Sequence, residues 1–90
     1  MPHPLDRRAA IEAELLRKSG RHVIFVRYAP MHSVDQEWVY NRARIDEASI
    51  VWASDLGDLE NRNLLSYFSG RTAWIVEPDV EPVRLRPYGP

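Results

Sequence analysis

The stretch of residues 49–77 constrains the fold of this chain more than any other part of the sequence. Two apolar runs of strand length, residues 50–52 and 73–76, flank one amphipathic segment of helical spacing. A strand, a helix and a second strand in this order predict a βαβ unit, in which the strands run parallel and the crossover is right-handed. The rest of the chain must then supply another strand and a cover for the second face of the sheet.

The first of two predicted helices covers residues 6–19. Ile11 and Leu15 lie one helical turn apart and form a modest apolar stripe, while charged residues occupy the other faces. Asp6 is in position to be the N-cap, and Gly20 stands where a left-handed C-cap belongs. We interpret this segment as a helix that covers one face of the sheet.

The second predicted helix covers residues 58–69, inside the βαβ unit. Asp58 is its predicted N-cap and Gly70 its predicted C-terminal glycine. Its predicted buried stripe consists of Leu64, Leu65 and Phe68, which are reached from Asn61 by steps of three and four residues.

Three apolar segments predict strands, at residues 22–28, 49–54 and 72–77, and a short edge strand is predicted near residues 82–85. The predicted fold class is therefore α/β, with a small open and mainly parallel sheet of three to four strands, flanking helices and Rossmann-like βαβ layering. The 90 residues form one domain, with tails at residues 1–5 and 86–90.

Composition excludes several classes of function. The net charge of −1 argues against a general electrostatic grip on nucleic acid, so no nucleic-acid partner is predicted. The absence of cysteine excludes disulfides, thiolate metal sites and a cysteine nucleophile. The sequence has no apolar run near the ~20 residues of a membrane span, and no apolar signal-peptide core at its start. As given, the chain is expected to be soluble.

Polar and aromatic residues gather where the predicted strands end. Ligands of open α/β sheets bind outside the carboxyl ends of the strands, and the long connection over residues 30–41 leaves from that edge. The candidate binding residues are Arg27, Tyr28, His32, Glu37, Trp38, Tyr40, Asn41 and Asp55. Aromatic rings beside carboxylates and an amide suit the recognition of a sugar or a polar head group.

A structural interpretation of the same residues stays open. Arg27 could pair with Asp55 or Glu77 simply to neutralise charges at the strand ends. Trp38 and Tyr40 could pack back on the sheet, and the block of residues 37–41 would then stabilise the fold without binding anything.

No catalytic motif reaches useful specificity. His32, Asp35, Asp55 and Glu77 could be drawn together as metal ligands, but their spacing matches no known site. Neither Ser33 nor Ser54 lies in a Gly-x-Ser-x-Gly elbow, and the loop at residues 56–58 has a single glycine and no lysine. The sequence therefore predicts no metal and no cofactor. It favours a chain that is not an enzyme by itself, with a small stand-alone enzyme as the alternative.

Several short motifs together resemble a known family. They are the run of residues 20–28, the block Glu37-Trp38-Val39-Tyr40-Asn41, the run Glu77-Pro78-Asp79 and the closing Arg84-Leu85-Arg86-Pro87-Tyr88. The sequence resembles the soluble C-terminal domain of large bacterial multi-spanning membrane proteins of the glycosyltransferase type, similar to dolichyl-phosphate-mannose protein mannosyltransferases. The resemblance covers about residues 20–88, and the block at 37–41 is its most distinctive part.

The resemblance implies an accessory or interaction role. In such proteins the transferase chemistry is expected in the membrane-embedded part, so no catalytic residue carries over to this chain. The implied partner is the membrane-embedded part of a larger chain, and the implied ligand is a sugar, a lipid-linked sugar or a partner protein. The implied location is the extracytoplasmic face of a bacterial membrane.

Overall fold

Four strands and two helices make up the part of the chain that the structure describes. It is a computed structural model, and it describes residues 4–29, 39, 41, 48–80 and 83–88. In chain order the elements are α1 (Pro4–Leu16), β1 (His22–Val26), β2 (Ile50–Ser54), α2 (Asp58–Tyr67), β3 (Thr72–Val76) and β4 (Leu85–Pro87). Within these residues, neither helix has the length and apolar character that crossing a membrane requires.

The strands form one open, mixed sheet in the order β2-β1-β3-β4. β1 pairs in parallel with both β2 and β3, so that Ile24 lies between Trp52 and Trp74. β4 pairs antiparallel with β3. The predicted parallel arrangement of β2 and β3 in one sheet is confirmed, with β1 between them, and the α/β fold class is confirmed with it.

The core divides into two clusters because successive side chains of a strand point to opposite faces. One cluster contains Ile24 and Val26 of β1 together with Ile11 and Leu15 of α1. The other contains Val23 and Phe25 of β1, Val51 and Ile75 of the neighbouring strands, and Phe68 just after α2. Every residue of β1 is buried, as its continuous apolar run predicts for a central strand. Each helix therefore covers one face of the sheet.

A charged contact anchors α1 to the edge strand β2. Glu12 accepts hydrogen bonds through Oε1 from Arg8 and from the Trp52 indole N–H, each at 2.8 Å. The Arg8 guanidinium also stacks over the Trp52 ring, 4.4 Å from its centroid. Arg8 is buried, and Glu12 compensates its charge.

The predicted N-cap of α1 was wrong. The helix begins at Pro4, so that Asp6 lies inside it. Proline suits the first helical position because its φ is already helical and its missing N–H would have no partner there. The helix ends at Leu16, earlier than predicted, and Gly20 instead closes the following turn with φ +92°. Residues 4 and 5 are helical and do not belong to a tail.

The predicted N-cap of α2 was also wrong by one residue. Gly57 occupies the cap position with φ 98° and ψ 162°, a conformation that glycine adopts far more readily than other residues. Asp58 is therefore the first helical residue, where its charge suits the helix dipole. The helix ends at Tyr67, and Gly70 lies in the next turn with φ +85°.

The edge strand lies further along the chain than predicted. β4 is Leu85–Pro87, with Arg86 opposite Ile75, and Tyr88 N–H donates to the Ala73 carbonyl at 3.0 Å. Pro87 is compatible with this position because β4 is an edge strand of the described sheet. The interpretation of residues 86–88 as a tail was therefore wrong. The other strands are slightly shorter than predicted: β1 ends at Val26, β2 begins at Ile50 and β3 ends at Val76.

Candidate functional site

An ion-pair chain joins the carboxyl ends of three strands. Arg27 follows β1 and Asp55 follows β2, and the Arg27 Nε lies 2.5 Å from Asp55 Oδ2. The Arg27 guanidinium also reaches Glu77 after β3 at 3.5 Å, and Glu77 accepts a hydrogen bond from Arg86 of β4 at 3.0 Å. The charge pairing that the structural interpretation predicted is therefore present, with both carboxylates. The Asp55 side chain is only 8% exposed, against 52% for Arg27.

Asp55 is held as a carboxylate by three donors. Its Oδ1 accepts hydrogen bonds from the Asn61 amide at 2.8 Å and from Gly57 N–H at 3.2 Å. Arg27 contacts the other carboxylate oxygen, Oδ2. Burial by itself raises the pKa of Asp55, but the hydrogen bonds from Arg27, Asn61 and Gly57 outweigh it and hold that pKa below its ordinary value. Asp55 therefore stays ionised at neutral pH and is poorly suited to act as a general acid.

Asn61 connects this carboxylate to the end of the chain. It is 1% exposed although it is polar, and it lies on the core face of α2. Its Nδ2 donates to Asp55 and to the Tyr88 hydroxyl at 3.1 Å, and its Oδ1 accepts from Leu56 N–H at 3.2 Å. Both hydrogens of the amide and its oxygen are thus engaged, as a buried amide requires.

Tyr88 completes the network. Its hydroxyl donates to Asp58 Oδ1 at 2.6 Å, and this hydrogen bond raises the pKa of the Tyr88 phenol above its ordinary value. Its ring packs on Phe25 with 5.0 Å between the ring centroids. The residue therefore ties the segment after β4 both to the first turn of α2 and to the core beneath the sheet. We refer to Arg27, Asp55, Asn61, Tyr88 and Asp58 as the carboxyl-edge network.

Asn41 contacts the sheet through its amide. Its Oδ1 accepts from Trp52 N–H and its Nδ2 donates to the Trp52 carbonyl, each at 2.9 Å. Trp52 lies on β2, an edge strand of the described sheet, and its backbone groups point away from β1. The Asn41 side chain therefore pairs with β2 as a neighbouring strand would, which is one way to protect a sheet edge.

The other predicted site residues divide into two groups. The Tyr28 hydroxyl accepts from Val39 N–H at 3.2 Å, so Tyr28 also connects the sheet with the segment around Asn41. His32, Glu37, Trp38 and Tyr40 lie outside the described residues. The structure therefore brings Arg27 and Asp55 together, places Tyr28 and Asn41 in structural contacts, and leaves the ligand site over residues 30–41 a prediction.

Substitution of Asn41 tests its structural role. We expect Asn41→Ala to lower the free energy of unfolding by about 1–2 kcal/mol, because two backbone groups of Trp52 lose their partner. Urea denaturation followed by tryptophan fluorescence measures this. Asn41→Asp serves as the comparison, since it keeps the acceptor for the Trp52 N–H and loses the donor. An unfolding free energy unchanged in Asn41→Ala would show that this contact does not stabilise the protein.

An open groove lies beside the carboxyl-edge network, between α2 and the end of β2. Its volume is about 460 Å³. It is lined by Ala53, Ser54 and Leu56 on one side and by Glu60, Leu64 and Tyr67 on the other, with Asn61 and Asn63 completing it. The sequence analysis did not single out this groove, since it depends on how α2 packs against the edge strand.

At the opposite, amino end of β1, His22 is buried with one ring nitrogen paired. The Trp74 indole N–H donates to His22 Nδ1 at 3.0 Å, so the neutral ring carries its hydrogen on Nε2. His22 Nε2 is buried and has no partner within the described part of the chain. Burial, assisted by the charges of Lys18 and Arg71, holds the pKa of His22 below its ordinary value.

The lowered pKa of His22 predicts acid destabilisation. The unfolded chain binds a proton at His22 near its ordinary pKa of about 6.5, while the folded chain resists that proton. The stability contribution of neutral His22 is therefore complete above about pH 6.5 and is lost as the pH falls through the folded-state pKa. We expect His22→Asn, which keeps an acceptor for Trp74, to flatten the fall in unfolding free energy below pH 6.5. Equal slopes in variant and wild type would contradict this assignment.

Comparisons with known proteins do not identify the chain. No family model matches it, and neither a curated protein nor a solved structure matches it. Among the described residues, no group of three or more His, Asp or Glu side chains could hold a metal ion.

Proposed function

We propose that this chain is an accessory or interaction domain of a membrane glycosyltransferase-like protein, which binds a sugar, a lipid-linked sugar or a partner protein and does not catalyse a reaction by itself. The observation that carries the proposal is that side chains of the carboxyl-edge network are already paired with one another. Arg27, Asp55, Asn61 and Tyr88 are each engaged by another member of the network. Side chains that are paired in this way position the strand ends, and the groove between α2 and the end of β2 lies beside them.

The chemistry of Asp55 supports binding over catalysis. A carboxylate that is paired with arginine and has a lowered pKa is a weak base, and catalytic groups are usually tuned toward the working pH instead. The alternative function is a small stand-alone enzyme with its polar site at the carboxyl ends of the strands, in which Asp55 would be the essential group.

The remaining parts of the proposal rest on the sequence. We propose that the helices on the two sheet faces represent Rossmann-like layering, that the natural partner is the membrane-embedded part of a larger bacterial chain, and that the domain works on the extracytoplasmic face.

A ligand screen with the purified domain tests the proposal. Two-dimensional NMR spectra are recorded with neutral hexoses, with a short-chain polyprenyl phosphate sugar and with the membrane-embedded part of the parent protein. We expect one of these three probes to shift resonances near the ends of β1 and β2. Turnover of phosphate or sugar esters that disappears in Asp55→Asn would overturn the proposal in favour of the enzyme. The absence of shifts with all three probes would also overturn it.

A further inference from the structure

Large apolar side chains are exposed along the outer surface of α2. Leu59 is 71% exposed and Tyr67 is 67% exposed, and Leu56 just before the helix is exposed to a similar degree. Leu59, Asn63 and Tyr67 are spaced four residues apart, so they form one row along the helix. The core face of α2 is a different one, formed by Asn61, Leu64 and Leu65. Exposed apolar groups that are grouped in this way mark interaction surfaces.

We propose that this row, Leu59–Asn63–Tyr67, is the contact through which two copies of the chain form a dimer about a two-fold axis at Asn63. The row has an apolar residue at each end and an amide in the middle. A second copy that runs in the opposite direction therefore presents the same order of apolar, polar and apolar groups. An antiparallel pair of α2 helices places Leu59 of each copy opposite Tyr67 of the other. Such self-complementary contacts generate the twofold dimers that are commonest among oligomers.

The two Asn63 amides meet on the axis. An amide is both donor and acceptor, so two copies of the same residue can bond to each other across a two-fold axis. The groove beside α2 can receive a side chain of the second copy, because Tyr67 of the row and Leu64 line it. Leu59 of the second copy lies at the level of Tyr67 and enters this groove.

The charges of α2 select the antiparallel direction. Its first turn carries Asp58 and Glu60, and its last turn carries no basic residue. A parallel pair would bring four carboxylates together at one end. The antiparallel pair separates them, because each acidic first turn lies beside the uncharged last turn of the other copy, and it also opposes the two helix dipoles.

The size of the surface sets the expected strength. A stable dimer buries about 800 Å² on each partner, and a row of this length supplies only part of that area. We therefore expect a weak dimer. This inference does not depend on the proposed function, since it concerns two copies of the chain and no ligand.

Sedimentation of the whole 90-residue chain tests the dimer. From about 10 µM to about 1 mM, we expect the mass to rise from 10.5 kDa toward twice that value. Leu59→Gln and Tyr67→Gln should each weaken the dimer at least about tenfold. Leu16→Gln is the matched control, since Leu16 is also exposed but lies on α1, and it should leave the dissociation constant unchanged. A protein that stays monomeric at about 1 mM overturns the proposal, and the row would then serve a different partner.

Cysteine cross-linking tests the axis, because the natural chain has no cysteine. The two copies of residue 63 lie on the axis, whereas the two copies of residue 59 are about 12 Å apart along the helices. Asn63→Cys should therefore form a disulfide-linked dimer on mild oxidation and Leu59→Cys should not. The double variant Leu59→Cys with Tyr67→Cys should cross-link again. Efficient cross-linking of Leu59→Cys alone indicates a parallel or different contact and overturns the antiparallel assignment.

Discussion

Replacement of Asn61 by alanine is expected to lower the free energy of unfolding by about 3 kcal/mol. The side chain is buried, and its amide serves Asp55, Leu56 and Tyr88 at once. Alanine removes all three hydrogen bonds and leaves a buried carboxylate oxygen and a backbone N–H without that partner. Buried polar groups that lose a partner cost more than the net value of the original bond. For a domain of this size the melting temperature should fall by roughly 15 °C.

Asn63→Ala is the matched control for this prediction. Asn63 lies two residues further along the same helix and is exposed, so its substitution should change the unfolding free energy by less than about 0.5 kcal/mol. Both variants are measured by urea denaturation at low concentration, where the protein is monomeric. Equal stabilities of the two variants would contradict the role assigned to Asn61.

Asn61→Asp separates hydrogen bonding from packing. It has nearly the shape of the natural residue, but it places a second carboxylate 2.8 Å from Asp55 Oδ1, where the amide now donates. Two carboxylates at this distance resist joint ionisation. We therefore expect Asn61→Asp to be strongly destabilised at pH 7 and less so at pH 4, while the destabilisation of Asn61→Ala should depend less on pH.

The order of the elements and the parallel sheet could be predicted because they depend on periodicity. The continuous apolar run of β1 is typical of a strand buried on both faces, and the strand–helix–strand pattern after Ser49 predicted that β2 and β3 run parallel, as they do. The position of β1 between them follows from neither pattern. Helix ends were less predictable, because Asp58 and Gly57 are both good cap residues and the backbone at Gly57 decides between them.

The carboxyl-edge network could be predicted only in part. The pairing of Arg27 with Asp55 was accessible, since both residues follow parallel strands and must end at the same sheet edge. The spacing of α2 gave a signal for Asn61 as well, because the predicted apolar stripe is reached from Asn61 by steps of three and four residues. Tyr88 entered the sequence reasoning only as the last residue of the closing motif, which assigns it no contact in the fold. It follows two prolines and two arginines in a segment of tail-like composition, and its role depends on a contact with Phe25, 63 positions earlier in the sequence.

Tyr88 therefore provides the second large prediction. If residues 86–88 were a tail, Tyr88→Ala would change the unfolding free energy by less than about 0.5 kcal/mol. The structure predicts a loss of about 3 kcal/mol instead, because the ring packs on Phe25 and the hydroxyl joins Asn61 and Asp58. Chemical denaturation followed by circular dichroism distinguishes these two outcomes.

Tyr88→Phe divides this loss between ring and hydroxyl. It keeps the packing on Phe25 and removes the hydrogen bonds, so we expect a loss of about 1 kcal/mol. Because the Tyr88 hydroxyl and the Asn61 amide belong to one network, the effects of Tyr88→Phe and Asn61→Ala should not add. The double variant should be more stable than the sum of the two losses predicts, by about 1 kcal/mol. If the two losses of unfolding free energy add strictly, the Tyr88 hydroxyl and the Asn61 amide stabilise the protein independently, and the hydrogen bond between them contributes no coupling.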